Sequence, residues 1–427
     1  MNQVVANPRV AIIGAGIGGL VLALELHRIG ITSRIYEATE KIRPLGVGIN
    51  LLPHSTRILS QLGLEPALTA VAVTTEEAVF YNRFGQLIHA EPAGRGAGYD
   101  FPQYSVHRSD LQDVLLAAVR ERLGADAVVT DHRCVAVEQN SESATVSFTR
   151  TSDRTALPDV TAEIVVACDG VHSVIRKQFY PNEGGPRYSG VMMWRGVTVA
   201  KPFLSGASMA RVGWLTNGKM VIYPIRNDVD DEGNQLINWV AEIETTERKQ
   251  QDWNREGKIE DFIDSFEDWS FDWLDVPALI RGAKSVLEYP MVDREPLPRW
   301  TFGRITLLGD AAHPMIPRGS NGAGQAILDA NRLAALMGES ADSVHALSEY
   351  EAERLPLTAA VVLANRTASP DTIIREVWER TGDRPFDRID DVITTEEIRA
   401  ISDGYQHVAG FSAEALAEAS EREYHSS

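Results

Sequence analysis

The sequence predicts an α/β fold in which a parallel sheet carries an inserted mixed or antiparallel sheet and is followed by a helical C-terminal region. Three observations lead there. A strand of buried character, Val10 to Ile13, runs into Gly14-x-Gly16-x-x-Gly19 and then a helical stretch. Two later strands, Ile164 to Cys168 and Ile305 to Leu308, end in Asp169-Gly170 and Gly309-Asp310. Between these segments, runs such as "GVMMWRGVTVA", "KMVIYPI" and "QLINWVAEIE" alternate with the period of half-buried strands.

Composition bounds the function. A chain of 427 residues exceeds what one hydrophobic core usually organises, which favours two or three structural units. With 41 basic against 60 acidic side chains the net charge is -19, which disfavours nucleic acid and anionic membranes as partners. Cys134 and Cys168 give neither a disulfide framework nor a metal-ligand spacing, so no metal is expected and a reducing compartment, the cytoplasm, is. Val10 to Leu24 is uncharged but too short to span a bilayer, only Arg9 precedes it, and a secretion signal does not need its glycine spacing.

Those glycines have distinct tasks. Gly14 permits the tight turn, Gly16 lets amides approach a pyrophosphate, and Gly19 lets helix and strand pack closely, with Ile17 and Gly18 at the positive helix end. A second strand, "SRIYEA", delivers Glu37 and Ala38 about 20 residues on, where a carboxylate accepts hydrogen bonds from an adenosine ribose. The unit is therefore Rossmann-like and binds a dinucleotide. The motif alone does not separate FAD from NAD, because both present an ADP half to the same turn.

The later turns bear on that choice. Asp169-Gly170-x-x-Ser173-x-x-Arg176 opens a new helix, and Gly309-Asp310 leads through His313 into "PMIPRGSNGAGQAILDA", a Gly- and Pro-rich loop of the kind that wraps backbone around something flat or charged. Leu111, Val114, Leu115, Ala118 and Val119 mark an amphipathic helix with Ser109 or Asp110 near its start and Arg108 before it.

Taken in order, these three motifs resemble the single-component FAD-dependent aromatic hydroxylases, the flavoprotein monooxygenases that include para-hydroxybenzoate, salicylate and 3-hydroxybenzoate hydroxylases, over roughly residues 1–365. Within that family "MWRGVT", "YPMVDREPLP" and "PRGSNGAGQAILD" are similar to the branch acting on 5-methylphenazine-1-carboxylate. The resemblance implies an FAD domain of glutathione-reductase type, bound FAD and a transient NADH or NADPH. It also implies O2 and a small aromatic substrate, with oxygen transferred from a flavin C4a-hydroperoxide, with or without loss of a carboxyl group. It further implies cofactor contacts at Gly14, Gly16, Ile17, Gly18, Gly19, Glu37, Ala38, Gly48, Arg108, Gln112, Val135, Asp169, Gly309, Asp310, Gly322 and Ala323. Asp310 would hold the ribityl chain, and Pro317, Gly319, Asn321, Gly322 and Ala323 would face the ring's pyrimidine edge.

The substrate side is less defined. Met193, Trp194, Arg195, Val221, Tyr223 and Pro317 are candidate walls or anchors, with core packing the alternative for the aromatics. Candidate catalytic residues are Pro317, Asn321, Tyr223 and Lys219. Salicylate-type relatives resemble a pattern with His where Lys219 stands, and this Lys is expected to be solvated. Arg195 and Arg211 are further partners for an anionic substrate. His313 reads equally as structural residue or acid, and His54 stands where many relatives have Asn. A flavin reductase or halogenase, or a flavin-binding protein without turnover, stays open as an alternative.

The expected units are a cofactor domain over 1–75, 105–185 and 286–365, a substrate sheet over 76–104 and 186–285, and a helical tail over 366–427 ending in a disordered "YHSS". The protein is expected to be a monomer or homodimer.

Overall fold

The computed structural model describes residues 8–42, 46–246 and 256–417. The closing "YHSS" and part of the loop before Gly48 lie outside them.

Val10–Ile13 is buried along its whole length, as a central parallel strand must be when helices cover both faces. It pairs in parallel with Ser33–Tyr36 on one side and Ile164–Ala167 on the other, and Ile164–Ala167 pairs in parallel with Ile305–Leu307. Val128–Val129 and Thr301–Phe302 complete a six-stranded sheet at its two edges. The register sets Ile13 opposite Ala167 and Ala167 opposite Leu307. Parallel strands in step leave the sheet at one edge, so Gly14, Asp169 and Gly309 emerge side by side. The helices Ile17–Arg28, Arg108–Leu123 and Gly322–Glu339 pack on this sheet in the largest core. Ser109 and Asp110 stand in the first turn of Arg108–Leu123, and His107 caps that helix by accepting from the Ser109 amide at 3.3 Å.

The inserted sheet has seven strands in the order Val286–Asp293, Arg187–Ala200, Gln235–Glu244, Lys219–Arg226, Ser208–Val212, Glu77–Tyr81 and Leu87–Pro92. The last two form the hairpin expected around "NRFGQ". Ser208–Val212 pairs in parallel with Glu77–Tyr81 while the other pairs are antiparallel, so the sheet is mixed. Val286–Asp293, expected with the cofactor unit, is an edge strand here. Its "VLEYPMVD" is buried on both faces, which fits either sheet, and pairing to residues 187–196 decides the matter.

The C-terminal region is helical. Ile373, Ile374 and Val377 from Thr372–Thr381, with Ile398 from Thr395–Ala409, pack on Ala78, Phe80 and Ile88 of the hairpin. Among the described residues no helix is long and apolar enough to cross a membrane.

Candidate active site

The glycine turn is built by close approach. Gly14 has φ +109°, and a Cβ there would sit 2.4 Å from the Cys168 carbonyl oxygen, so only glycine lets the neighbouring strand ends come together. Glu37 reaches across: Oε2 accepts from the Ala15 amide and Oε1 from the Thr39 amide, each at 2.8 Å. Gln112 donates Nε2–H to the Ala15 carbonyl at 2.8 Å. Arg108 is exposed, with no ion pair among the described residues, which leaves its cation available to a phosphate. The helix Ile17–Arg28 has no side-chain cap and Gly16 faces open space, so its first amides stay free for an anion. The Asp131 and His132 amides donate to Thr39 and Glu37 carbonyls at 3.0 and 2.9 Å, and Val135, three residues on from His132, is 44% exposed.

The second and third turns are fastened together by Arg176. Ser173 caps the helix Val174–Phe179, and Arg176 donates Nη1–H to the Ala311 and Ala312 carbonyls at 3.1 and 2.8 Å. Asp310, immediately before them in the third turn, stays exposed. Asp169 donates nothing and accepts from the Val174 amide through Oδ2, while its buried Oδ1 has no partner in the described residues and burial raises its pKa. An open glycine cradle, uncapped helix amides, an exposed carboxylate and an unpartnered buried carboxylate oxygen along one sheet edge form a donor and acceptor set that suits an extended dinucleotide.

Beyond the third turn, Asn321 closes the N-terminal end of Gly322–Glu339. His313 is buried against Asp329 at 2.5 Å, and Asp329 also accepts from Arg354 at 2.8 Å and the Gly309 amide at 3.2 Å. Burial alone would raise the Asp329 carboxyl, and the His313 and Arg354 charges instead hold it below its ordinary value. Arg354 continues to Gln325 at 2.6 Å, and Gln325 to Asn321 at 3.2 Å. His313 is thus a structural partner of the Gly309 turn. His54 Nε2 meets Asn321 Oδ1 at 3.0 Å, and burial pulls its pKa down to about 3, so it stays neutral.

The inserted sheet grips the cofactor segment at Gly48. Tyr223 donates its hydroxyl hydrogen to the Gly48 carbonyl at 2.9 Å, Arg195 donates Nη2–H to the same oxygen at 2.6 Å, and the Gly48 amide donates to Asn238 Oδ1 at 2.7 Å. Burial raises the Tyr223 pKa. Met193 and Val221 lie on this face with Ile316, the neighbour of exposed Pro317. Trp194 does not. Strand alternation turns it to the opposite face, stacked on Phe262 at 4.9 Å, so it is core and not a chamber wall. Adjacent residues of one strand cannot line the same chamber, and the expectation that paired Met193 with Trp194 overlooked this.

Lys219 also corrects an expectation. It is 1% exposed, with Nζ at 2.7 Å from Asp371 Oδ2 and 3.2 Å from Glu242, and Arg211 pairs with the other Asp371 oxygen at 3.3 Å. A strand-end Lys looks solvated until a distant segment covers it, and Asp371 lies 152 positions further along the chain. Asn238, Asp329, Arg354 and Tyr405 were not singled out as site-builders, because each acts through partners far away in sequence. A cavity of about 490 Å³ lies between the hairpin and Thr395–Ala409, bordered by Leu52, Met209, Arg211, Gly319, Tyr405 and Phe411.

Comparisons agree with this layout. A family model described as FAD binding domain matches residues 7–365. Phenazine 1,6-dicarboxylic acid hydroxylase of Lysobacter antibioticus is 42% identical over 375 residues, covering 87% of this chain and 92% of that protein. A 3-amino-4-hydroxybenzoate 2-monooxygenase of Streptomyces platensis is 35% identical over 357 residues, covering 82% and 85%. The salicylate hydroxylase substrate complex shares the fold with a TM-score of 0.70 at 22% identity, covering 96% of this chain and 99% of that one.

Proposed function

The chain belongs to the FAD binding domain family, and from that premise we propose that it is a monooxygenase using NADH or NADPH and O2 to hydroxylate a carboxylated aromatic or N-heteroaromatic small molecule. One observation supports this most directly: the Met193, Arg195, Val221 and Tyr223 face is clamped to Gly48 beside the loop Pro317–Ala323, so a flat molecule on that face lies against the flavin position. The two curated relatives named above act on aromatic carboxylic acids by their names, which supports the substrate class.

When bound, FAD supplies electron transfer and oxygen activation. The protein's part is holding and shielding. Glu37, the Gly14–Gly19 turn and Arg108 take the adenosine and pyrophosphate, and Asp310 takes the ribityl hydroxyls. Met193 and Val221 wall the substrate ring and exclude water. Arg195 keeps a buried Nε–H without a partner among the described residues, and that donor is the anchor for a substrate carboxylate. Tyr223, with its hydroxyl hydrogen engaged by Gly48, positions the wall and is not the base. A cytoplasmic placement is the reading that the two free cysteines support, since they form no disulfide framework.

The test is to purify the protein, record its flavin spectrum, and screen phenolic and N-heteroaromatic acids for stimulated NAD(P)H oxidation with products identified by mass. Gain of one oxygen, or loss of CO2 with gain of oxygen, supports the proposal. Oxidation without an oxygenated product indicates a reductase, and flavin reduction with no substrate stimulation indicates a binding protein.

A further inference from the structure

The loop between Arg318 and Asn321 has an uncommon backbone. Gly319 has φ +78° and Ser320 φ +57°, two consecutive left-handed residues of which the second is not glycine. A side-chain-bearing residue in that region is strained, and it persists where the surroundings over-determine it. The surroundings here are Asn365, where the family match ends, and residues of the C-terminal segment beyond it.

Tyr405, 2% exposed on the helix Thr395–Ala409, donates its hydroxyl hydrogen to Asn365 Oδ1 at 2.7 Å and has the Arg318 carbonyl at 3.4 Å. Its hydroxyl packs so closely on Gly319 that a Cβ there would lie 1.9 Å away. Asn365 in turn donates to the Ile316 carbonyl at 3.2 Å, so both ends of the Pro317 turn are tied to one pair. Two further contacts reach the following residues. Gln325 donates to the Ala409 carbonyl at 3.0 Å, and Phe411 stacks at 5.5 Å on His54, which meets Asn321.

We propose that Tyr405 is a positioning residue: with Asn365 it holds Arg318–Asn321 in the strained conformation that presents the loop backbone to the flavin, and so favours the reduced cofactor. Preorganised amides stabilise developing negative charge because they need no reorganisation when the charge appears. Removing the hydroxyl lets the loop relax toward ordinary backbone angles and weakens that stabilisation.

The inference rests on FAD sitting beside this loop, and the two fail differently. The test measures the flavin midpoint potential of the holoenzyme, with flavin content recorded for each variant. Tyr405→Phe is expected to keep its FAD and to hold reduced relative to oxidised FAD about tenfold less tightly, a fall of about 30 mV for a two-electron couple. Asn365→Ala is expected to shift the potential the same way, and the double variant no further, since the two act as one unit. Val377→Ala, which loosens the C-terminal helices on the hairpin without touching the loop, is expected to lower the melting temperature and leave the potential unchanged. An unchanged potential in a flavin-loaded Tyr405→Phe protein overturns the inference, as does an equal shift in Val377→Ala. Absence of flavin from the unaltered protein overturns the cofactor reading instead.

Discussion

Tyr223 reaches 2.9 Å across to the carbonyl of Gly48 and thereby joins a strand of the inserted sheet to the cofactor segment. The two sides fit without slack. A Cβ on Gly48 would lie 2.7 Å from both Tyr223 and Ile225 and 2.8 Å from Asn238. Gly48→Ala is therefore expected to force the layers apart and release more peroxide per NAD(P)H consumed. Tyr223→Phe removes one hydrogen bond while Arg195 still serves the same carbonyl, so its stability cost is about 1 kcal/mol. Peroxide assays beside thermal melts would separate the variants, and equal coupling in both would contradict a rigid joint.

The Lys219–Asp371 pair fastens the C-terminal helices to the same face of that sheet, two residues along the strand from Val221. Lys219 keeps Glu242, but buried Arg211 loses its carboxylate, so Asp371→Ala is expected to destabilise the protein by about 3–5 kcal/mol. Burial would raise the Asp371 carboxyl, but the Lys219 and Arg211 charges outweigh it and hold the pKa below its ordinary value. A carboxyl with a depressed folded pKa contributes fully above its unfolded value, about 3.9, and loses that contribution as pH falls through the lower folded value. Melting temperature should therefore drop below about pH 4, and the drop should be shallower in Asp371→Asn.

Much of the cofactor unit was legible because its signals are local. A glycine spacing, a carboxylate about 20 residues on, and two strand ends with Asp-Gly or Gly-Asp each state a backbone requirement within a few positions. The substrate side was legible only as alternating strands. Whether Trp194 faced the chamber depended on the register of Arg187–Ala200 against two partners, and whether Lys219 was solvated depended on Asp371. The role of His313 was equally hidden, since Asp329 reads from the sequence only as one polar residue on a helix.

Asp310 and His313 are three residues apart and should respond in opposite ways. Asp310 is exposed, so Asp310→Ala is expected to leave the apoprotein's stability within about 0.5 kcal/mol of its original value. The same change should weaken FAD binding roughly tenfold or more, the loss of about 1.5–3 kcal/mol from hydrogen bonds to a charged group. His313→Ala removes a buried partner of Asp329 and is expected to lower the apoprotein's stability itself. Flavin titration and melting of apoprotein give both numbers. Normal FAD affinity in Asp310→Ala would remove that residue from the cofactor site.

Trp194 and Val221 test which face of the inserted sheet meets the substrate. Trp194 is 4% exposed in a cluster with Met192, Trp239 and Phe266, so Trp194→Ala is expected to cost about 3–5 kcal/mol. The variant's KM should stay unchanged at temperatures where it remains folded. Val221 is only partly buried and faces Met193 and Tyr223, so Val221→Phe adds volume where a ring would lie. Its expected signature is a KM raised by about tenfold or more, equivalent to about 1.4 kcal/mol of lost binding, with little change in melting temperature. Steady-state kinetics on the substrate found by the screen, beside thermal melts, decide the matter. A KM change in Trp194→Ala with none in Val221→Phe would reverse the assignment of the two faces.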